Sequence, residues 1–466
     1  MNKRYDYLVV GSGPAGHVSA ITAAKLGLKT AILEKDIEML GGVCLNEGCI
    51  PAKSLYSAAY YFGAVKKYPG ILGPGSGAGG TVIKEMTAKS RLASDTLKRG
   101  LSAHLKKLGV DVIEGSAEFE TSSELKVIPR AGKSYTLAAG KILIATGSTP
   151  RPLTGTPFDG KRIISSTAAV KLDIVPEKVL IVGAGAIGVE FASFFSTMGS
   201  EVTLLETENE ILPSEDRDIS SAMRNVLKKM GVRIFTSSSV KEICVKGDKV
   251  FSGILVGEGE IEEGEYDIVL VSVGRVPRTK GIGLEKVGVK LGEKGFIPVD
   301  GEMRTNVDGI YAAGDVVSSP MLAHIAQAEG ELAAFSAVGK PLRPIDYSSV
   351  PNAVYSAVQC SSVGVTEKQA ERAGAKIVTG KSFFKANGKA VAAGEDDGFV
   401  KVIVDAGSRA VLGAHIVGHL ATEMIHEFAI ARRMGLTIDD IAWTVHAHPT
   451  FSESAALVAK EIFFKL

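Results

Sequence analysis

The chain has 466 residues, of which 45% are hydrophobic and 23% are charged, and its formal net charge is +1. At roughly 100–200 residues per domain, this length predicts three or four folded units with ample core. The near-neutral charge argues against nucleic acid or an anionic membrane as a partner. Four cysteines in the whole chain argue against a secreted disulfide framework and for a reducing compartment.

The N-terminal sequence MNKRYDYLVVGSGPAG leads directly into a strand-like apolar segment that ends in glycines. It contains neither an apolar signal-peptide region with a cleavage site nor an arginine- and serine-rich presequence. The sequence also lacks an uninterrupted apolar stretch of the roughly 18 residues that a membrane span requires. We therefore expect a soluble protein of the cytoplasm with no membrane partner.

Residues 7–34, YLVVGSGPAGHVSAITAAKLGLKTAILE, predict a strand, a G-x-G-x-x-G turn, a helix and a second strand that ends in an acid. Gly11 would make the tight turn, and Gly13 would let the backbone approach a pyrophosphate. Gly16 would let the helix pack closely on the strand, while the helix N-terminus offers the positive end of its dipole. Glu34 would bind ribose hydroxyls. One such motif alone is weak evidence, because glycine-rich turns also occur for structural reasons.

About thirty residues further on, the segment GGVCLNEGCIPAK places Cys44 and Cys49 five positions apart. In a regular helix, residues at that spacing point about 140° apart, which is too divergent for a disulfide. Gly48 and Pro51 would disturb the start of a helix and could let the two sulfurs meet. A nearby helix N-terminus and Lys53 would stabilise a thiolate.

Several roles are possible for this cysteine pair. A metal site would need further ligands at short spacing, and Cys244 and Cys360 stand alone in strand-like contexts. A structural disulfide is disfavoured by the compartment. Two unreactive buried thiols remain an alternative, but we favour a redox-active pair beside the first dinucleotide.

Residues 179–206, VLIVGAGAIGVEFASFFSTMGSEVTLLE, repeat the first pattern. Two complete copies argue against a purely structural role, so we predict two dinucleotide sites. The segment ETENE, residues 206–210, has three carboxylates and neither arginine nor lysine, so a 2′-phosphate there would be repelled and lack a cationic partner. The second site should therefore prefer NAD to NADP. The positions that match the first copy are Gly183, Gly185, Gly188 and Glu206.

The cysteine segment resembles the redox-active disulfide segment of the flavin-dependent pyridine nucleotide–disulfide oxidoreductases, and its phrase CLN-x-GCIP is most similar to the dihydrolipoamide dehydrogenases within that family. The resemblance runs the length of the chain. It includes ILIATGSTPRP (142–152), VGRVPRT (273–279), TNVDGIYAAGDV (305–316), MLAHIAQAEG (321–330) and HAHPTFSE (446–453).

The resemblance implies one FAD per subunit in the first site and NAD in the second. Besides the first glycine turn, the residues implied for FAD are Glu34, Lys53, Gly115, Ala117, Thr146, Gly147, Asp315 and Ala323. Those implied for NAD are the glycines 183, 185 and 188 with Glu206, Val240 and Gly274.

The resemblance also implies catalytic roles for six side chains. Cys44 and Cys49 would form the redox-active disulfide, and Glu190 would pair with Lys53 where hydride is exchanged. His448 would be the base that deprotonates a substrate thiol, with Glu453 as its acid partner. In the family this base comes from the other subunit, so a homodimer is implied. We interpret His446 as supporting and Trp443 as core packing.

The expected reaction oxidises protein-bound dihydrolipoyl groups and reduces NAD⁺. The expected partners are the dihydrolipoyl-bearing acyltransferase core of a 2-oxo acid dehydrogenase complex or the lipoyl carrier of glycine cleavage. The alternatives are an NADPH-dependent glutathione or mercuric ion reductase, which Glu206 disfavours, and a flavoprotein that serves as a redox sensor or structural subunit.

The sequence departs from the family pattern at several positions. Val43 stands where threonine is usual, Glu47 where an apolar residue is usual, and Ala52 where serine is common. Val358 and Gln359 replace a proline and a glutamate, and residues 68–80 form an unusually glycine-rich loop. None of these changes removes a reacting group.

The motifs predict an α/β protein with two doubly wound dinucleotide-binding domains and a C-terminal α+β dimerisation domain. The FAD domain would span residues 1–147 and the NAD domain residues 148–275. A central segment, 276–346, would return to complete the FAD site, and the dimerisation domain would span 347–466.

Overall fold

The structure is a computed structural model and describes residues 3–67, 79–257, 259–340 and 342–466. The glycine-rich loop predicted at 68–80 lies outside the described residues except for its last two. The described part of the chain contains two largely parallel sheets, a five-stranded antiparallel sheet and two smaller antiparallel sheets. The predicted α/β class is confirmed.

The first parallel sheet belongs to the N-terminal domain, and its central strands are buried on both faces, as is typical of doubly wound folds. Its parallel strands lie in the order Asp111–Glu114, Thr30–Glu34, Arg4–Val10, Tyr135–Ile144 and Ile310–Ala312. An antiparallel extension adds Glu124–Ile128 and Ser116–Thr121. Its helices are Pro14–Lys25, Gly42–Glu47, Cys49–Lys67, Gly79–Lys107 and Ala323–Ala337.

The second parallel sheet repeats this arrangement. Its strands lie in the order Arg233–Phe235, Glu201–Leu205, Lys178–Val182, Ile268–Val271 and Ile163–Ile164. An antiparallel sheet of Ser238–Lys246, Lys249–Val256 and Glu260–Tyr266 accompanies it. The helices are Ser166–Ala169, Ala186–Met198 and Arg217–Lys229. A two-stranded ribbon pairs Ser148–Pro150 with Arg275–Pro277, so the chain segments just before and just after the second parallel sheet lie side by side.

The C-terminal domain is an antiparallel sheet covered by helices. Its strands lie in the order Asn352–Val354, Gln359–Gly364, Val411–Gly418, Phe399–Asp405 and Ile377–Phe383. Its α-helices are Glu367–Arg372, Gly388–Ala393, Ala421–Met434, Ile438–Ala442 and Glu453–Phe463. Short 3₁₀ helices occur throughout the chain at Ile37–Met39, Leu284–Val287, Glu293–Gly295, Tyr347–Ser349 and Phe384–Ala386.

The two glycine turns have the same backbone geometry. Gly11 and Gly183 adopt φ values of 100° and 99°, in the region that glycine tolerates and other residues avoid. A Cβ on Gly16 would lie 1.9 Å from the carbonyl oxygen of Gly11, and one on Gly188 would lie 1.8 Å from that of Gly183. The third glycine of each turn is therefore required for close packing between helix and turn.

One hydrophobic cluster joins all three domains. It contains Leu55 of the helix Cys49–Lys67, Phe191 and Phe195 of the second domain, and Val354 and Val417 of the C-terminal sheet. Because this cluster is continuous, the helix that carries Cys49 is packed against the other two domains at once.

A buried lysine adds a polar contact between the second and C-terminal domains. Lys401, 2% exposed, donates to Asp216 at 2.8 Å, Asp218 at 2.7 Å and Glu367 at 2.6 Å. Burial alone would lower the pKa of Lys401, but these three hydrogen bonds raise it above its ordinary value. The ammonium group therefore remains charged and holds the start of the helix Arg217–Lys229 against the C-terminal sheet.

We predict that Lys401→Met lowers stability by about 3–5 kcal/mol, since it leaves the buried Asp216 carboxylate, 2% exposed, without its cationic partner. Lys381 is the matched control, because it also binds Asp218, at 2.8 Å, but is 34% exposed. Lys381→Met should cost about 1 kcal/mol or less. Thermal unfolding followed by circular dichroism compares the two variants. Equal unfolding midpoints would contradict the stabilising role given to Lys401.

Candidate active site

A cavity of about 1660 Å³ is lined by residues of both parallel sheets and of the segments that follow their strands. It exceeds the roughly 300–1,000 Å³ of a pocket for one small ligand. Most of the residues predicted from the sequence line it. They are Gly11, Gly13, Glu34, Cys44, Cys49, Lys53, Gly115, Ala117, Thr146, Gly147, Gly183, Gly185, Glu190, Glu206, Val240, Gly274, Asp315 and Ala323. Gly16, Gly188, His448 and Glu453 are not among the lining residues.

The first glycine turn presents an open helix N-terminus to this cavity. The helix Pro14–Lys25 has Gly13 as its N-cap, with no described side chain bonded to the cap and no acid in the first turn. A Cβ on Gly13 would meet nothing within 4 Å. Glu34 accepts hydrogen bonds from the Ser12 amide at 3.0 Å and the Ser12 hydroxyl at 2.5 Å. These groups fit the phosphates and ribose of a dinucleotide.

The second glycine turn has the same design. The helix Ala186–Met198 starts from Gly185, again with no capping bond from a described side chain. Glu206 accepts from the Ala184 amide at 2.7 Å and the Glu208 amide at 3.0 Å, so its carboxylate is held at the edge of the turn. This donor and acceptor set also fits a dinucleotide.

One arginine from outside the segment does bind a carboxylate of residues 206–210. Arg224, from the following helix, donates through Nε to Glu210 at 2.6 Å and binds the Asn209 carbonyl oxygen at 3.3 Å. Neither Arg224 nor Glu210 lines the cavity. The guanidinium is therefore committed to Glu210, while Glu206 remains the carboxylate on the cavity wall.

Asp315 reaches the cavity because the chain returns to the first sheet. The strand Ile310–Ala312 pairs with Tyr135–Ile144, and Asp315 follows it directly. The Ser148 hydroxyl donates to Asp315, and Arg275 Nε donates to the Ser148 hydroxyl at 2.7 Å. Ser12, Ser148 and Arg275 were not predicted from the sequence, and the roles of Ser148 and Arg275 become visible only where distant segments meet.

Gly48 breaks the cysteine segment into two helices. The helix Gly42–Glu47 carries Cys44, and the helix Cys49–Lys67 begins at Cys49. Gly48 has φ −137° and ψ −115°. A Cβ on Gly48 would lie 3.0 Å from the Val43 carbonyl oxygen and 3.2 Å from the Cys44 Cα. This break lets the two thiols approach each other.

The two thiols differ in acidity. Cys44 and Cys49 are free thiols in the structure, and a hydrogen bond between them raises the pKa of Cys44 and lowers that of Cys49 to about 7. The positive charge of Lys53 also favours the Cys49 thiolate, while burial and Glu190 oppose it. Cys49 is therefore the thiol that ionises first.

Lys53 and Glu190 form a partly buried ion pair beside the cysteines. Lys53 Nζ lies 3.0 and 2.9 Å from the two carboxylate oxygens of Glu190. The Tyr355 amide donates to the same carboxylate at 2.9 Å. Burial raises the pKa of Glu190, and the Lys53 charge opposes that rise. The C-terminal domain thus contributes the Tyr355 amide to the site, and this contact was not predicted from the sequence.

His448 and Glu453 lie together on the surface of the C-terminal domain. His448 Nδ1 lies 2.9 Å from Glu453 Oε1, and the His448 side chain is 77% exposed. The Thr450 amide and the His448 ring lower the pKa of the Glu453 carboxyl. His446 has its own partner, Glu427, at 2.9 Å. The interpretation of Trp443 as core packing is wrong, because this residue is 60% exposed.

Comparison with known proteins agrees with this site. Residues 5–330 match the family described as pyridine nucleotide-disulphide oxidoreductase. Residues 350–459 match the dimerisation domain of the same family. The chain belongs to the pyridine nucleotide–disulphide oxidoreductase family. The family resemblance predicted from the sequence is confirmed, and with it the prediction of an oxidoreductase.

Among curated members of this family, the dihydrolipoyl dehydrogenase of Zymomonas mobilis is 39% identical over 455 residues, covering 97% of each chain. That of Corynebacterium glutamicum is 40% identical, covering 99% of this chain and 98% of its own.

Two solved structures superpose over nearly the whole chain. LpdA of Mycobacterium tuberculosis has a TM-score of 0.90 at 27% identity, covering 98% of this chain and 99% of its own. The Cu(II) complex of the HOCl-induced flavoprotein disulfide reductase RclA of Escherichia coli has a TM-score of 0.88 at 30% identity. That comparison covers 99% of this chain and 100% of RclA.

The unequal thiols give a pH prediction for the reduced, flavin-loaded protein. A lowered pKa means that the Cys49 thiolate is present above about pH 7 and is lost below it. The long-wavelength thiolate–flavin absorption band should therefore grow as pH rises through that value. Cys44→Ser should keep the band, and Cys49→Ser should abolish it. If the band survives in Cys49→Ser, the thiolate that produces it is not Cys49 and the prediction is wrong.

Proposed function

We propose that this protein is a dihydrolipoyl dehydrogenase that oxidises protein-bound dihydrolipoyl groups and reduces NAD⁺. The observation that carries the proposal is the pair of unequal thiols, Cys44 and Cys49, in a cavity lined by both dinucleotide turns. The curated relatives, dihydrolipoyl dehydrogenases at 38–40% identity over nearly the full length, support the same activity.

Each dinucleotide has a set of residues that would hold it. FAD, one per subunit, would lie on the first glycine turn with Glu34 at its ribose, Asp315 at its ribityl chain and Lys53 near its ring. NAD would lie on the second turn with Glu206 at its ribose. When bound, FAD supplies the chemistry that passes an electron pair from the cysteines to NAD⁺.

The thiol steps use the cysteines and the histidine. His448 takes the proton from one dihydrolipoyl thiol, and the resulting thiolate attacks Cys44 in the Cys44–Cys49 disulfide, releasing Cys49 as a thiolate. The second substrate thiol attacks the mixed disulfide and gives its proton to Cys44, which closes the lipoyl ring and frees the Cys44 thiol. The substrate loses the two electrons that the cysteines gain. The low pKa of Cys49 favours its departure, because the more acidic thiol leaves faster.

The position of His448 supports catalysis across a homodimer. In its own chain the side chain is 77% exposed and outside the cavity. Large apolar side chains nearby in sequence are also exposed, with Trp443 at 60% and Val445 at 95%. Trp443 also contacts Phe463, which contacts the 78% exposed Phe464, so it belongs to a contiguous apolar patch of the kind that a protein partner covers. A second copy of the chain would cover them and bring His448 to the neighbouring cysteine pair.

The proposed partners follow from the substrate. They are the dihydrolipoyl-bearing acyltransferase core of a 2-oxo acid dehydrogenase complex or the lipoyl carrier of glycine cleavage, in the cytoplasm. Among the residues that the structure describes, none of the helices combines the length and hydrophobicity needed to cross a bilayer.

The second site should discriminate against NADP⁺ by roughly 10²-fold in kcat/KM, because Glu206 would repel the 2′-phosphate while Arg224 is held by Glu210. Glu206→Gln should reduce this ratio, since the charge repulsion is lost. Glu208 is an exposed carboxylate of the same segment that does not line the cavity. Glu208→Gln is therefore the control and should leave the ratio unchanged. Steady-state assays with NAD⁺ and NADP⁺ measure this ratio. Comparable kcat/KM values for the two nucleotides with the unaltered protein would refute the preference.

If His448 is the base, His448→Gln should slow dihydrolipoamide oxidation by ~10²–10⁴-fold, the usual contribution of a general base. NADH-driven reduction of an artificial one-electron acceptor bypasses that proton transfer and should stay within severalfold. Glu453→Gln should cause a smaller loss in the thiol half-reaction, because it removes the group that orients the base.

Mixing two inactive homodimers tests whether the base acts across the dimer. Heterodimers of Cys44→Ser and His448→Gln chains would contain one site with both lesions and one with neither. About half of the unaltered activity per re-formed dimer should return. If activity stays absent while mass spectrometry shows subunit exchange, the base and the cysteines belong to one chain.

A further inference from the structure

The cysteine segment carries a charged residue between its two thiols. Glu47 ends the helix that bears Cys44 and precedes Cys49 by two residues. Cys44 and Glu47 are three residues apart in that helix, so their side chains lie on the same face. The Glu47 side chain is 21% exposed and lines the cavity.

The partner of Glu47 comes from the second domain. Lys171, just after the helix Ser166–Ala169, donates through Nζ to Glu47 Oε1, and its own side chain is 50% exposed. The contact therefore crosses from the cysteine turn of the first domain to the second domain.

Hydrogen bonds other than the Glu47–Lys171 contact fix the backbone beside Lys171. Thr87, 3% exposed, donates through its hydroxyl to the Leu172 carbonyl oxygen at 2.8 Å. Ser90, on the same helix and 1% exposed, donates to the Pro51 carbonyl oxygen at 3.1 Å. The helix Gly79–Lys107 thus binds both the segment that carries Lys171 and the helix that begins at Cys49.

We propose that Glu47 and Lys171 are positioning residues that set the acidity of the cysteine pair. The ion pair fixes the end of the Cys44 helix against the second domain and neutralises a carboxylate that lies two residues before Cys49 and would otherwise oppose its thiolate. The inference rests on the proposed function for its biological meaning, since thiol acidity controls the rate of thiol–disulfide exchange.

Other charges also face Cys49 and are left unchanged in the test. Lys53 lies on the same helix, Glu190 on the helix Ala186–Met198, and Arg275 on the ribbon between domains. The Tyr56 hydroxyl is buried on the Cys49 side. Since these groups stay unchanged, a shift in the Cys49 pKa of the Glu47 and Lys171 variants reports the effect of that one ion pair.

The test measures the pKa of Cys49 in flavin-loaded protein that carries Cys44→Ser, so that Cys49 is the reporting thiol. Lys171→Gln leaves the Glu47 carboxylate unpaired and should raise this pKa by roughly half a unit, which slows Cys49 alkylation by iodoacetamide about threefold below the pKa. Glu47→Gln leaves Lys171 unpaired and should shift the pKa in the opposite direction. The double variant should fall between the two.

Glu118 and Lys286 provide a matched control pair. They are 29% and 48% exposed, close to the values of Glu47 and Lys171, and they lie in another part of the first domain. Glu118→Gln and Lys286→Gln should leave the Cys49 pKa unchanged. Alkylation is assigned to Cys49 by mass spectrometry, because Cys244 and Cys360 are also free thiols.

Shifts of opposite sign support the proposal, since a merely structural role would move both variants in one direction. Shifts of the same sign, or shifts no larger than those of the control pair, overturn it. Each single variant has its own predicted direction of pKa shift. If one variant fails to fold, the shift of the other still tests the proposal. A separate dihydrolipoamide assay of the unaltered protein tests the proposed function, and its failure would leave the alkylation result interpretable.

Discussion

The site depends on one backbone break, at Gly48. A helix that continued from Cys44 to Cys49 would direct the two side chains about 140° apart. The break ends one helix at Glu47 and begins the next at Cys49, and a side chain at Gly48 would press on the backbone of Val43 and Cys44. The hydrogen bond between the thiols, and the unequal acidity that follows from it, both require this arrangement.

Three domains converge on that break. The first supplies the cysteines and Lys53, and the second supplies Glu190 on the helix that follows its glycine turn. The C-terminal domain supplies the Tyr355 amide, which fixes the Glu190 carboxylate. Since one hydrophobic cluster runs through all three, the relative positions of these groups are determined by packing. The buried Lys401 strengthens the contact between the second and third domains.

The sequence predicted those parts of the site whose chemistry is local. A glycine turn, its helix and its acid lie within about thirty residues, so Gly11 and Glu34 could be assigned from spacing alone. Contacts between distant segments could not: Arg275 with Ser148 and Tyr355 with Glu190 depend on how the domains meet. Arg224 was missed for the same reason, since it reaches Glu210 from the next helix.

We propose that Cys44 and Cys49 share electrons with a bound flavin, and the other proposed steps depend on this. Anaerobic titration of the flavin-loaded protein with dithionite measures this directly, because each electron pair taken up is counted. The account predicts two pairs per subunit, one for the cysteine disulfide and one for FAD. Uptake of a single pair would show that the cysteines take no part in the redox chemistry and would contradict the account.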